Sequence, residues 1–412
     1  MSKHRKTKIM SGITIGATVI GVASYFGYKY ILKDKFFNKK TEKNKQNTKQ
    51  DQPKRTISSD NAKLNAEVQT QIYKPSNVNR VGHWNILNFG GSGSEKGNIK
   101  VNAIAEAIHK TKQDIVGLTE VNYRDGDKVQ RITKTLNELG EENFDQVIQP
   151  QSDSNTKSSN ATKEVVAILY NTQKYKLIKS GSFNIENNGY SYKRTPFGAM
   201  FEDLSNGKKV ITFFAHLDSP GVRKDRNDKH PQEQDSQYAG QGTQEVFEAE
   251  NIENAFKYFQ KWDPSASIIF GGDTNIMTKN RAIFENNNTY KNYYNDIKAA
   301  SGKKPNEQYE YYETSLGSKQ GYANAYDKIL FKENDNLNII DENEKRAFSD
   351  EKYQNSWFKL DLVNSFNNGF YDKTYYQKLW TQYEKSLWPK DFQVIRSKIS
   401  DHTLVWIDYV IN

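Results

Sequence analysis

The chain has 412 residues, a formal net charge of +9 and a mean hydropathy of −0.90, and its 35% hydrophobic content is supplemented by 25 Tyr and 21 Phe able to build a core. It has no cysteine, which excludes disulfides, thiolate-ligated zinc, a thiol nucleophile and an acylated lipoprotein cysteine. The first sixty residues hold twelve Lys and two Arg against Asp34, Glu42, Asp51 and Asp60, so they carry +10 and the remainder −1; the basicity belongs to an N-terminal arm and says nothing of a nucleic-acid substrate.

Lys3, Arg5, Lys6 and Lys8 make a basic start, followed over 9–32 by an apolar run broken only by Lys29, with Tyr25, Phe26, Tyr28 and Tyr30 crowding one end. That length and aromatic belt predict a membrane anchor, or a signal segment cleaved near Val22-Ala23-Ser24. Residues 33–76 are rich in Lys, Asn, Gln and Thr and read as a disordered tether, with a headgroup-binding patch as the alternative. The folded body is expected over 77–412.

Alternation predicts a strand over 81–89, stopping in Gly90-Gly91. Val101, Ile104, Ala105 and Ile108 keep one helical face, as do Val129, Ile132 and Leu136. Further strands are predicted over 114–118, 165–170, 175–178, 198–202, 210–216, 268–270, 326–331 and 404–411, with a helix over 244–259. The intermixture points to an α/β (α+β) class with mixed or antiparallel sheets. Residues 341–392, aromatic and charged, read as a helical insertion.

The run Ile268-Ile269-Phe270-Gly271-Gly272-Asp273-Thr274-Asn275 is the most telling stretch: a buried strand turns sharply on two glycines and leaves a carboxylate and a carboxamide at one sheet edge. Other predicted strands also end or begin in polar groups, namely Asn85, Glu120, Glu164, His216, Asp327 and Asp401-His402. Each alone reads as a turn cap, an ion pair or a core histidine. Together, two imidazoles and several carboxylates without a Ser or Cys elbow suit attack of water on a phosphodiester, one His as base, the other as acid, with a divalent cation on the phosphate.

Trp84-Asn85-Ile86, Leu118-Thr119-Glu120-Val121, Phe214-Ala215-His216, Gly272-Asp273-Thr274-Asn275, Tyr326-Asp327-Lys328-Ile329 and Ser400-Asp401-His402 resemble, in order, the motifs of the endonuclease/exonuclease/phosphatase superfamily. Thr162-Lys163-Glu164-Val165 and Lys193-Arg194-Thr195-Pro196 resemble its deoxyribonuclease I branch, and the N-terminal segment with the absence of Cys resembles the membrane nucleases of mollicutes. The resemblance implies a four-layered β-sandwich of two mixed sheets flanked by helices. It implies Glu120 as main metal ligand with Asn85, Asp273 and Asp401 nearby, for Mg²⁺, Ca²⁺ or Mn²⁺. His402 oriented by Asp327 would activate water, and His216 oriented by Glu164 would serve the leaving oxygen. Asn275, Arg194 and Asn85 would hold the phosphate. The expected protein is a membrane-anchored extracellular nuclease of DNA, with RNA left open; a sphingomyelinase-type phosphodiesterase and an inert surface adhesin are the alternatives.

Overall fold

Two sheets face one another, each built around one parallel pair of strands. The computed structural model describes residues 64–411, apart from 91–97, 154–162, 188–189, 222–235, 286, 294–311, 333, 335, 341–344, 346 and 385. These all fall within the unit Ile57–Asn412; the apolar stretch 9–32 and the tether up to residue 63 lie outside the described residues. Among the described residues no helix is long and apolar enough to cross a membrane.

The strands are β1 Asn79–Phe89, β2 Ile115–Asn122, β3 Phe144–Ile148, β4 Glu164–Asn171, β5 Tyr175–Ser182, β6 Glu186–Asn187, β7 Tyr190–Ser191, β8 Phe197–Asp203, β9 Lys209–His216, β10 Ser267–Asp273, β11 Lys291–Asn292, β12 Asp327–Lys332, β13 Leu337–Ile339 and β14 Val405–Ile411. The first sheet runs β13-β14-β1-β2-β4-β3 and the second β11-β12-β10-β9-β8-β5, while β6 and β7 form a small ribbon. In the first sheet β1 and β2 are parallel and flanked by antiparallel β14 and β4. In the second, β9 and β10 are parallel and flanked by antiparallel β8 and β12.

The helices are α1 Ala66–Gln71, α2 Asn98–Lys110, α3 Gln130–Leu139, α4 Thr243–Glu250, α5 Ile252–Gln260, α6 Glu351–Gln354, α7 Lys373–Tyr383 and α8 Asp391–Val394. Alternate residues of each strand serve two cores, as the pleat requires. Trp84, Ile86, Val116 and Leu118 pack outward against Ile104, Ile108, Ile132 and Leu136. Phe213, Ile268 and Phe270 pack outward against Phe256 and Phe259. Val81, Ile115, Ile168, Phe214, Ile269 and Ile407 fill the layer between the sheets. The result is helices, sheet, sheet, helices.

Three segments depart from the sequence reading. The end of the expected tether is folded: Asn65 caps α1 through the Val68 amide at 2.8 Å, and Val68 and Ile72 are buried. The helix expected over 244–259 breaks at Asn251, whose side chain donates to the Phe247 carbonyl at 2.8 Å. The expected insertion is cemented to α2. Tyr371, Tyr375 and Tyr376 donate to the Ala103 carbonyl, Asn102 and Glu106 at 3.0, 3.0 and 2.8 Å, and Phe366, Phe370 and Leu379 join the outer core of the first sheet.

Candidate active site

Because antiparallel neighbours start where the parallel pairs finish, one edge of the sandwich gathers the polar residues. Asn85 and Glu120 lie towards the ends of β1 and β2, His216 and Asp273 close β9 and β10, and Glu164 and Asp327 open β4 and β12. Asp273 is directly opposite His216 on one side and Asp327 on the other. His402 precedes β14 and is tied to β1: Trp84 Nε1 donates to its carbonyl at 2.7 Å, and Ser400 Oγ donates to the Asn85 carbonyl at 2.5 Å while accepting the His402 amide at 3.0 Å.

The two imidazoles are arranged alike. His216 Nδ1 lies 2.7 Å from Glu164 Oε2, and His402 Nδ1 lies 2.7 Å from Asp327 Oδ2. With Nδ1–H donating to a carboxylate, Nε2 is the working nitrogen of each ring. Both Nε2 atoms lie 3.5 Å from the same oxygen, Asp273 Oδ2. Burial and Arg194 oppose the charged form of His216, but Glu164 and Asp273 outweigh them and raise its pKa. Burial likewise opposes the charged form of His402, yet Asp327, Asp273 and Asp401 raise its pKa well above the ordinary value. Against its own burial, Asp327 is held far below the carboxylate range by His402 and His83.

Beside this pair, Asn85 Nδ2 donates to Asp273 Oδ2 at 2.9 Å and to Glu120 Oε1 at 3.2 Å, and the Asn88 amide donates to Glu120 Oε2 at 2.9 Å. Among the described residues no three of His, Cys, Asp or Glu gather closely enough to hold a metal ion. Asn85 stands between Glu120 and Asp273, and Asp273 is turned to the imidazoles. What remains, the Glu120 carboxylate beside the Asn85 amide, suits a hard cation that keeps most of its waters and takes further ligands from substrate oxygens, as Mg²⁺ does. Asp401 Oδ1 is buried without a hydrogen-bond partner among the described residues.

Two expected phosphate contacts are engaged elsewhere. Arg194 Nε donates to the His216 carbonyl at 2.8 Å, its Nη2 donates to the Leu217 carbonyl, and Nε lies 3.8 Å from Glu164 Oε2. It braces the His216–Glu164 pair from behind. Asn275 Nδ2 donates to the Leu217 carbonyl at 3.0 Å, and its amide donates to Asp273 Oδ1 at 3.0 Å.

No family model matches the chain. Two solved structures are similar to it over most of its length. The human Nocturnin catalytic domain, solved with a bound sulfate anion, is 15% identical, with a TM-score of 0.47, covering 82% of this chain and 97% of that one. An endonuclease/exonuclease/phosphatase family protein from Bacteroides thetaiotaomicron is 14% identical, with a TM-score of 0.46, covering 82% of this chain and 100% of that one. An uncharacterized protein of Mycoplasma pneumoniae is 31% identical over 154 residues, a stretch that spans 37% of this chain and only 29% of that protein.

Three features of the site escaped the sequence reading. Lys100, on α2, donates to the Ile86 and Leu87 carbonyls at 2.6 and 2.5 Å; burial pushes its amine down to about 8, against the pull of Glu120 and Asp401. The backbone is left-handed at Leu87, Asn88, Glu120 and Asn275, with φ of 49°, 51°, 58° and 53°, a concentration of unfavourable conformations of the kind found at functional sites. Finally, His83 is wholly buried beneath the site, its Nδ1 3.3 Å from Asp327 Oδ1. Its signal was available: His83 shares the inward parity of Val81 and Asn85 on β1, where an apolar side chain is the rule.

Proposed function

We propose that the chain is a divalent-metal-dependent phosphodiesterase that hydrolyses DNA, with RNA as a second substrate. One observation carries the reading: two carboxylate-backed imidazoles present their Nε2 atoms 3.5 Å from one oxygen of Asp273. Such a pair can take a proton from water on one side of a phosphorus and give one to the leaving oxygen on the other. His402 Nε2 accepts the proton of the attacking water, and Asp327 holds its ring in the Nδ1–H tautomer. His216 Nε2 donates to the leaving oxygen, and Glu164, braced by Arg194, holds that ring. Asp273 Oδ2, fixed by its bond to Asn85 Nδ2, faces both Nε2 atoms and favours the charged form that His216 needs as acid, while His402 acts as base from its neutral Nδ1–H form. Glu120 with Asn85 would hold a Mg²⁺, Ca²⁺ or Mn²⁺ ion, which when bound supplies positive charge to the phosphate oxygens. Asn275, held by the Leu217 carbonyl, steadies Asp273 through its backbone amide.

The test is incubation of the full chain with plasmid DNA, RNA and sphingomyelin, each with Mg²⁺, Ca²⁺, Mn²⁺ or EDTA. Cleavage of DNA that stops in EDTA and returns with a divalent ion is the expected result. Cleavage of sphingomyelin alone would replace the substrate, and full activity in EDTA would remove the metal. The anchor reading of 9–32 and an extracellular catalytic body belong to the same proposal, although Lys33, Lys35, Lys39 and Lys40 follow the span as densely as the basic start precedes it. Membrane fractionation before and after deletion of residues 1–32 checks it, and recovery of the intact chain in the soluble fraction counts against it.

A further inference from the structure

We propose that His83 is a positioning residue for the His402–Asp327 pair: from between the two sheets it holds Asp327 Oδ1, and so fixes which oxygen Asp327 presents to His402 and in what direction. The inference rests on the phosphodiesterase reading of the site but on separate atoms. Asp327 is 1% exposed, and its Oδ2 is taken by His402 at 2.7 Å. Its Oδ1 and His83 Nδ1 are both buried with no hydrogen-bond partner elsewhere among the described residues, and they face one another at 3.3 Å. That separation is long for a hydrogen bond, but two such atoms have no other way to recover what burial removes. The other ring nitrogen allows either tautomer, and the carboxylate, which can only accept, decides between them. His83 Nε2 lies 3.1 Å from Thr119 Oγ1, also buried. A hydroxyl that donates to Nε2 leaves the proton on Nδ1, aimed at Asp327; the opposite tautomer would set a nitrogen lone pair against a carboxylate lone pair in a dry layer.

The ring has little freedom to choose another pose. Phe214 lies almost parallel to it, at 6.3 Å between centroids and 18° between planes. Gly271 opposite has no room for a Cβ, which would come within 2.8 Å of the His83 Cβ. A carboxylate held only at Oδ2 can swing about its terminal torsion; held at both oxygens it cannot. A continuous series therefore runs Thr119, His83, Asp327, His402, and ends with Nε2 at Asp273.

The experiment compares His83→Leu, which removes the donor, with His83→Asn, whose amide nitrogen can stand where Nδ1 stood. In the full chain with Mg²⁺ and DNA, the Leu variant is expected to lose roughly 10–100-fold in kcat, the range found when a group that orients a catalytic ligand is removed. KM and thermal midpoint should change little, and the Asn variant should recover most of the loss. A Leu variant with the kcat of the natural chain, or an Asn variant as slow as Leu at the same midpoint, overturns the proposal. Should the Leu variant fail to fold, His83→Gln and His83→Met, polar and apolar side chains of similar length, make the same comparison. A readout independent of turnover separates this inference from the reading beneath it. The low-field proton resonance of the His402 Nδ1–H should broaden or vanish in His83→Leu and persist in His83→Asn, whatever the substrate proves to be; an unchanged resonance in the Leu variant also overturns the proposal.

Discussion

Replacing Asp327 by Asn tests the site through a change of one atom type. In the natural chain Oδ2 accepts from His402 Nδ1 at 2.7 Å and Oδ1 faces His83 Nδ1 at 3.3 Å, so two donors converge on two acceptors. An amide offers one acceptor and one donor. If its oxygen turns to His402, its NH2 meets the proton on His83 and expels one of them from a dry layer. If its oxygen turns to His83, its NH2 meets His402 Nδ1 and forces the proton onto Nε2, where it blocks the nitrogen that must accept from water. Either arrangement also removes the charge that raises His402. Losing the use of a general base lowers kcat by roughly 10²–10⁴-fold. At about 1.36 kcal/mol per decade that is about 2.7–5.4 kcal/mol of transition-state stabilisation. Loss of the charge-assisted bond in the resting protein should lower stability by only about 1.5–3 kcal/mol. Turnover of plasmid DNA and the thermal midpoint, measured on the same preparation, separate the two. A well-folded Asn variant that keeps more than about a third of the natural kcat, far from the losses typical of removing a general base, would refute the role given to Asp327.

Other perturbations probe different parts of the molecule. His216→Ala and His402→Ala should each lower kcat by roughly 10²–10⁴-fold, and the double variant by far less than the product, because both act in one transition state; multiplicative losses at an unchanged midpoint would separate their roles. Arg80→Met strips the buried partner of Asp408, whose oxygens it meets at 2.6 and 2.8 Å, and should cost roughly 3–5 kcal/mol of stability with kcat of the folded protein intact; an unchanged midpoint counts against it. Burial, together with Asp218, pushes Glu248 up to about 7, so the stability it contributes is fully present below about pH 4.5 and lost as pH rises through about 7. Glu248→Gln should flatten the midpoint-against-pH curve in that window, and parallel curves would sink the assignment.

The sequence was legible where burial is two-sided or the period unbroken. β4, β9, β10 and β14 are nearly continuous apolar runs because helices or the facing sheet cover both sides; the expected bounds of β4, β9 and β14 lie within one residue of the observed ones, while β10 runs three residues further, through Gly271-Gly272-Asp273. β3 is an edge strand, Phe-Asp-Gln-Val-Ile, with only Phe144 fully buried, and it carries too little apolar signal to be seen. α1 is six residues long and holds on through Val68 and Ile72, within a composition that otherwise reads as tether. The strand-end polar residues were found because their positions stand out against apolar runs. That Asn85 stands between Glu120 and Asp273 is a matter of ångströms across two sheets, which spacing within one chain does not encode.

His83 belongs to a different kind of difficulty, and it bears on why the site sits where it does. The layer between the sheets is apolar along most of its length, and an apolar side chain at position 83 would continue the row from Val81 and Ile115. Stability alone favours that, since a buried imidazole facing a buried carboxylate must be compensated bond by bond. The sheets nevertheless close tightly at this level: a Cβ at Gly117 would lie 2.2 Å from the Phe214 ring, and one at Gly271 would meet His83. That approach brings β1 and β2 of one sheet within reach of β10 and β12 of the other, so a donor on β1 can hold a carboxylate on β12. A polar pair inserted at a tight contact gives the two sheets one relative position in which both of its atoms are satisfied. The same position sets Asn85 against Asp273 and His402 against Asp327. The register between the sheets and the geometry of the catalytic pair are then one constraint, and a change at position 83 should be felt at His402 before it is felt in the fold.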